Sequence, residues 1–71
     1  MPAMSDEQDV LGDAGMLLAK LAPYAAVRHE LTTARDLVLS QSYRAVGPNR
    51  AARNTRRLRA LADRARALLG T

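Results

Sequence analysis

Apolar residues recur along this chain at alternating spacings of three and four, which is the period of helices that bury one face. Three stretches show this pattern, and they predict helices at about residues 6–22, 24–46 and 49–69 of one all-α domain. Residues 1–5 lack the pattern and are expected to be a disordered N-terminus. The seams of the three helices consist of Val10, Ala14, Leu17 and Leu21; of Tyr24, Val27, Leu31, Ala34, Val38, Gln41 and Ala45; and of Ala51, Asn54, Leu58, Leu61, Ala65 and Leu68.

Proline and glycine mark where the predicted helices end. Pro23 cannot donate its backbone amide and disfavours a helical residue before it, so the chain is expected to kink near this position. Gly47-Pro48 combines a residue suited to closing one helix with a residue suited to opening the next, which predicts a reversal of the chain. Thr32-Thr33 leaves open the alternative that a fresh helix starts inside the middle stretch. The expected fold is a short helical hairpin of two to three helices.

The small size of the chain and its few aromatic side chains limit the core that it can build alone. It has 71 residues, no cysteine, no phenylalanine and no tryptophan. A domain of this length buries only about 60% of the surface that its unfolded chain exposes, and small domains without disulfides often complete their core by association. We therefore expect a homo-oligomer or a complex with a larger protein partner. The seam residues predicted to form the partner interface are Val27, Leu31, Val38, Asn54, Leu58, Leu61 and Leu68.

Asn54 is a polar residue on the otherwise apolar seam of the last helix. In coiled coils a buried asparagine can pair with its equivalent in a second copy and thereby fix register and oligomeric state. The alternative is that the end of the helix frays and that the Asn54 side chain is hydrated.

Positive charge is concentrated in the C-terminal part of the chain. Residues 43–71 carry eight arginines and one acidic residue, Asp63, whereas residues 1–42 carry three basic and six acidic residues, and the net charge is +4. At 100° per residue, five of the arginines fall within an arc of about 120° opposite the leucines of the last helix. The residues predicted to contact an anionic partner or phosphate are Arg50, Arg53, Arg56, Arg57 and Arg64.

Three interpretations of these five arginines are open at the level of sequence. An acidic protein partner would offset the repulsion between Arg53 and Arg57, which are like charges one helical turn apart. Nucleic acid would supply phosphates to the same side chains, but no aromatic residues alternate with the arginines to stack on bases, and the turn at Gly47 is a poor match to a helix-turn-helix. A charged outer face that is simply hydrated is the third interpretation. The favoured function is a protein–protein interaction module, such as an adaptor, assembly or regulatory subunit, and nucleic-acid binding is the alternative.

Residues able to carry catalysis or bind a cofactor are sparse. His29 is the single histidine, so neither a metal cluster nor a catalytic triad can be built around it. Asp9 and Asp13 could share a cation, although an acidic start to the first helix explains them more simply. The four glycines are isolated and form no phosphate-binding loop. We therefore expect a non-enzymatic protein with no catalytic residue, cofactor, metal or small-molecule substrate.

The distribution of apolar residues also bears on the compartment. No run of 18 or more apolar residues is present, so no membrane span is expected. The N-terminus shows no basic region followed by a long apolar one, as a secretory signal would. Together with the lack of cysteine, this pattern predicts a cytoplasmic protein.

Overall fold

Three α-helices make up the fold. The structure is a computed structural model, and it describes residues 2–41 and 46–70, with side chains from residue 7 onward within those ranges. The helices are α1 (Pro2–Lys20), α2 (Ala25–Ser40) and α3 (Pro48–Leu69). No residue of the two described ranges lies in a strand. The predicted all-α class is therefore confirmed, with three helices.

The bounds of the first two helices differ from the predicted ones. α1 spans Pro2–Lys20, whereas the sequence pattern predicts disorder over residues 1–5 and a helix over 6–22. α2 spans Ala25–Ser40, whereas the predicted middle helix covers residues 24–46. Gln41 and Val46 are not helical, and residues 42–45 lie outside the described residues. Hydrophobic periodicity marks only the part of a helix that packs against a neighbour, so helical residues beyond the packed part carry no signal.

The chain reverses direction at Pro23, where a kink is predicted. α1 ends at Lys20 and α2 begins at Ala25, and between them the amide of Tyr24 donates to the carbonyl of Leu21 at 2.9 Å. Pro23 has no amide that this tight turn would leave unsatisfied. Because Leu21 is fully buried, the turn is anchored in the core, and α2 runs back along α1.

α2 continues without interruption through Thr32 and Thr33. The hydroxyl of Thr32 donates to the carbonyl of Arg28 at 2.8 Å, and the hydroxyl of Thr33 donates to the carbonyl of His29 at 3.0 Å. Hydroxyls that bond back to the preceding turn are satisfied inside a helix and do not need a fresh start. The alternative of a second helix beginning at this pair is therefore not adopted.

α3 begins after Gly47 and ends at Gly70, within a residue of its predicted bounds. Pro48 occupies the first helical turn, where a backbone amide has no partner within the helix in any case. Gly70 adopts the left-handed conformation, with φ of 75°, and its amide donates to the carbonyl of Ala67 at 3.2 Å. Glycine takes up this conformation without steric cost, which makes it a regular helix stop.

The core is apolar and receives side chains from all three helices. The buried residues are Val10, Ala14, Leu17, Leu21, Leu31, Ala34, Val38, Leu58, Leu61, Ala62 and Ala65. A helix of 22 residues is about 33 Å long, and the longest dimension of the molecule is 35 Å, so the helices lie side by side. The result is a three-helix bundle in which α2 is antiparallel to both α1 and α3. None of the described helices has the length and apolar character needed to cross a bilayer.

Candidate partner-binding surface

Most of the residues predicted to form a partner interface lie inside the bundle. Leu31, Val38, Leu58 and Leu61 are buried; Val27 and Asn54 are half-buried; and Leu68 is 44% exposed. The chain's own helices therefore occupy most of the seam. Within this fold, the surface left for a partner consists of the flanks of the helices and the exposed end of the seam.

Asn54 finds its partner within the same chain. Its amide Nδ2 donates to Oε1 of Gln41 at 2.9 Å, and Nε2 of Gln41 donates to Oε2 of Glu7 at 3.0 Å. These three half-buried side chains come from α3, from the end of α2 and from α1, so they join all three helices at one end of the bundle. The sequence contains a signal for this contact, because Gln41 and Asn54 are each the single amide on an otherwise apolar seam.

Replacing Gln41 with alanine is expected to lower the free energy of unfolding by about 1 kcal/mol, since a half-buried hydrogen bond contributes roughly 0.5–1.5 kcal/mol. Urea unfolding followed by circular dichroism measures the change. Ser40→Ala is the matched control, because the Ser40 hydroxyl is bonded only to the carbonyl of Leu37 within α2. Equal losses in the two variants would contradict a role for Gln41 in joining the helices.

On the side of α3 that faces α1, Arg66 is matched by acidic side chains. Arg66 donates to the carboxylate of Asp13 on α1 and, at 3.0 Å, to the carboxylate of Asp63 on its own helix. The hydrogen bond to Asp13 is the main cause that raises the pKa of Arg66, so the charged guanidinium is favoured. Arg59, seven residues before Arg66, lies with Asp9 at a shallow pocket of about 360 Å³ between α1 and α3.

The pairing of Asp13 with Arg66 also bears on the cation that Asp9 and Asp13 could share. One of the two carboxylates is already bonded to a guanidinium. Across the described residues, no group of three or more histidine or acidic side chains is placed to hold a metal ion. His29 is exposed on α2, away from the core. Asp13 therefore serves the contact between α1 and α3.

The remaining arginines of α3 are exposed, and their side chains have no partner among the described residues. They are Arg50, Arg53, Arg56, Arg57 and Arg64. None of the five forms an ion pair or hydrogen bond through its side chain within the part of the chain that the structure describes. The first and the last are 14 positions apart, or about 21 Å along the helix. We call these five residues the arginine stripe.

Two exposed leucines complete the surface around the arginine stripe. Leu37 of α2 is 45% exposed and Leu68 of α3 is 44% exposed. The sequence pattern identifies Leu68 as a seam residue but gives no role to Leu37, because the relevance of Leu37 depends on how α2 and α3 pack. Isolated exposed leucines are common. Their position relative to the arginines is what makes these two of interest.

The fold and this surface define the chain as an all-α three-helix bundle with a basic outer face on its third helix. Comparison of the chain with protein-family models, with curated proteins and with solved structures finds no match. Arguments about function therefore rest on the geometry and charge of the described residues.

Proposed function

We propose that this chain is a non-enzymatic protein–protein interaction module, an adaptor, assembly or regulatory subunit, whose α3 docks an acidic partner protein. One observation carries the proposal. Arg66, which faces α1, is paired with Asp13 and Asp63, whereas the arginine stripe on the opposite side has no partner among the described residues. The arginines of α3 that lack a partner among the described residues thus lie together on one accessible face.

The arginine stripe works against the stability of α3 in the isolated chain. Arg53 and Arg57 are like charges at a spacing of four, which costs a few tenths of a kcal/mol. Arg50 and Arg53 lie near the start of α3, where the helix dipole favours acidic residues, and the first turn of α3 contains none. Charges that oppose these helix preferences and have no compensating contact inside the fold indicate a functional surface. Carboxylates of a partner would supply the missing negative charge.

The small size of the chain supports association with another protein. A domain of 7.7 kDa leaves a large share of its surface exposed, and small domains without disulfides often complete their core by association. We propose that a larger partner or a second copy covers part of this exposed surface, and that this association takes place in the cytoplasm, which suits a chain without cysteine.

Nucleic acid is the second candidate partner, and the row of unpaired guanidinium groups is the observation that favours it. Phosphates would pair with the arginine stripe as well as carboxylates do. Against it, α3 contains no aromatic side chain for stacking on bases. Leu68 and Leu37 beside the stripe suit a protein surface better, because arginine and apolar side chains are mixed at the centre of protein interfaces.

A charge reversal within the arginine stripe tests the proposed function. Arg53→Glu with Arg57→Glu is expected to abolish binding of the chain to poly-L-glutamate, which the wild type binds in a salt-dependent manner. Light scattering at low and at high salt measures the complex. Lys20→Glu with Arg28→Glu is the matched control, because it changes the net charge equally at two exposed positions outside the stripe. This control should bind more tightly than the stripe variant.

Equal loss of binding in the two double variants would refute the docking role of the arginine stripe. The same experiment with a short DNA duplex separates the second candidate. If the duplex binds and poly-L-glutamate does not, with log affinity falling by about 0.9 per contacted phosphate for each unit of log salt, nucleic-acid binding replaces the proposed function.

A further inference from the structure

The packing of α2 against α3 determines which side chains flank the seam between them. In an antiparallel helix pair, the residues that immediately precede core positions on the two helices lie on the same side of the seam. Leu37 precedes the buried Val38 on α2, and Arg57 precedes the buried Leu58 on α3. Arg64 precedes the buried Ala65 in the same way. Leu37, Arg57 and Arg64 therefore border one side of the α2–α3 seam.

α1 covers the opposite side of the same seam. Asp13 of α1 is bonded to Arg66, and Ala62 on that flank of α3 is 2% exposed. In contrast, Arg57 and Arg64 are exposed. α1 therefore does not cover the groove between α2 and α3 that Leu37, Arg57 and Arg64 border.

The hydrogen bond between Gln41 and Asn54 sets the register along this groove. Because these two residues lie level with each other, moving four residues along each antiparallel helix places Leu37 level with Leu58. Leu68 lies ten residues further along α3, or about 15 Å. The groove therefore has an exposed leucine towards each end, with Arg57 close to the level of Leu37 and Arg64 between the two leucines.

We propose that this groove binds an acidic amphipathic helix of a partner protein. The partner's apolar residues, about three helical turns apart, contact Leu37 and Leu68, and its carboxylates pair with Arg57 and Arg64. This inference rests on the proposed function and specifies the form of the acidic partner. An amphipathic helix laid into a groove between two helices is an established mode of recognition.

The groove combines apolar and cationic side chains, which favours an acidic amphipathic helix over the other possible partners. A DNA duplex would place phosphates and their water against the two leucines, and an unstructured acidic segment would supply charge without a continuous apolar row. Glu30 also lies on this flank, yet it forms no ion pair among the described residues. The groove therefore lacks carboxylates paired to its arginines, and an acidic partner would supply them.

A second copy of the chain fits the groove less well. Its acidic helix is α1, and Asp13 of α1 is already bonded to Arg66. Among the α1 side chains that the structure describes, from residue 7 onward, the outward face carries Gly12, Gly15 and Met16, and Met16 is the single exposed large apolar side chain. It does not supply two apolar residues three turns apart.

A designed peptide tests the proposal. The probe is a synthetic helical peptide with leucines on one face and glutamates along both borders, and its control has the same composition in scrambled order. Fluorescence anisotropy measures affinity, and circular dichroism measures the helix gained on binding. The leucines of the groove are about half exposed, so replacing either by serine, as Leu37→Ser or Leu68→Ser, is expected to weaken binding roughly fivefold.

Leu39→Ser is the matched control. Leu39 is 42% exposed, almost as much as Leu37, but it follows Val38 and therefore lies on the opposite flank of α2. The affinity of the Leu39→Ser variant for the probe peptide should equal that of the wild type. A weaker affinity for the scrambled peptide and a gain of helix with the ordered one complete the expected result.

The other outcomes separate this inference from the proposed function. If Leu37→Ser and Leu68→Ser bind the probe as the wild type does while Arg53→Glu with Arg57→Glu does not, the groove is refuted and the acidic-partner function stands. If none of these variants changes binding, both are refuted. If the chain alone forms a dimer that Leu68→Ser dissociates, the groove belongs to a second copy and the proposed occupant is wrong.

Discussion

Replacing Leu58 with alanine is expected to lower the free energy of unfolding by about 2–5 kcal/mol, because the cavity left by a buried leucine adds to the lost transfer free energy. Leu58 is fully buried at the centre of α3. A chain of 71 residues has a total stability of roughly 4–11 kcal/mol, so this substitution removes a large share of it. Urea unfolding followed by circular dichroism measures the loss.

Leu68→Ala is the control for this prediction, since Leu68 lies on the same seam but is 44% exposed. Its loss should be clearly smaller than that of Leu58→Ala. Equal losses in the two variants would contradict the burial of Leu58 within a single chain. The melting temperature of the wild type at several protein concentrations adds a second reading, because the stability of an obligate oligomer depends on concentration.

The helices and their buried faces follow from the sequence to a large extent. Spacing alone identifies the seam residues Val10, Ala14, Leu17 and Leu21, and all four are buried. Any helix that packs on one side needs apolar residues repeated at this period of 3.6 residues. Pro23 likewise marks the end of a packed segment, although the chain reverses there instead of kinking.

What covers each seam could not be predicted from the sequence. A helix that packs against its own chain and one that packs against a second copy show the same hydrophobic period. The sequence pattern therefore predicts a partner for the seam of α3, whereas in the structure Leu58 and Leu61 pack within the bundle. Asn54 shows the same limit, because an amide on a seam indicates that a partner is needed but does not identify Gln41.

The arginine stripe could be predicted from the sequence, whereas the groove between α2 and α3 could not. Helical geometry alone separates Arg57 and Arg64 from Arg59 and Arg66, so the exposed face of α3 could be predicted. Leu37 could not be assigned to the groove, because its position beside α3 depends on the register of two helices that are distant in sequence. The helical period can be read from the sequence of one segment, whereas the register between two helices depends on how both of them pack.

Replacing Gly12 and Gly15 together with alanine is expected to raise the free energy of unfolding by about 1–2 kcal/mol, because each glycine inside a helix costs roughly 0.5–1 kcal/mol relative to alanine. Both lie within α1 and are exposed. A Cβ atom added at either position meets no atom within 4 Å. The melting temperature should rise by about 4–8 °C per kcal/mol, which thermal unfolding followed by circular dichroism measures.

Gly70→Ala is the control with the opposite sign. Gly70 also has open space around its Cβ position, but its φ of 75° is unfavourable for alanine by roughly 1–2 kcal/mol. The comparison separates the conformational cost of glycine from its steric role. If Gly12→Ala with Gly15→Ala destabilises the protein instead, and does so in a concentration-dependent way, a backbone from another chain must approach α1 at these glycines. The acidic helix would then be an interface in its own right, on the face of the bundle that the arginine stripe does not occupy.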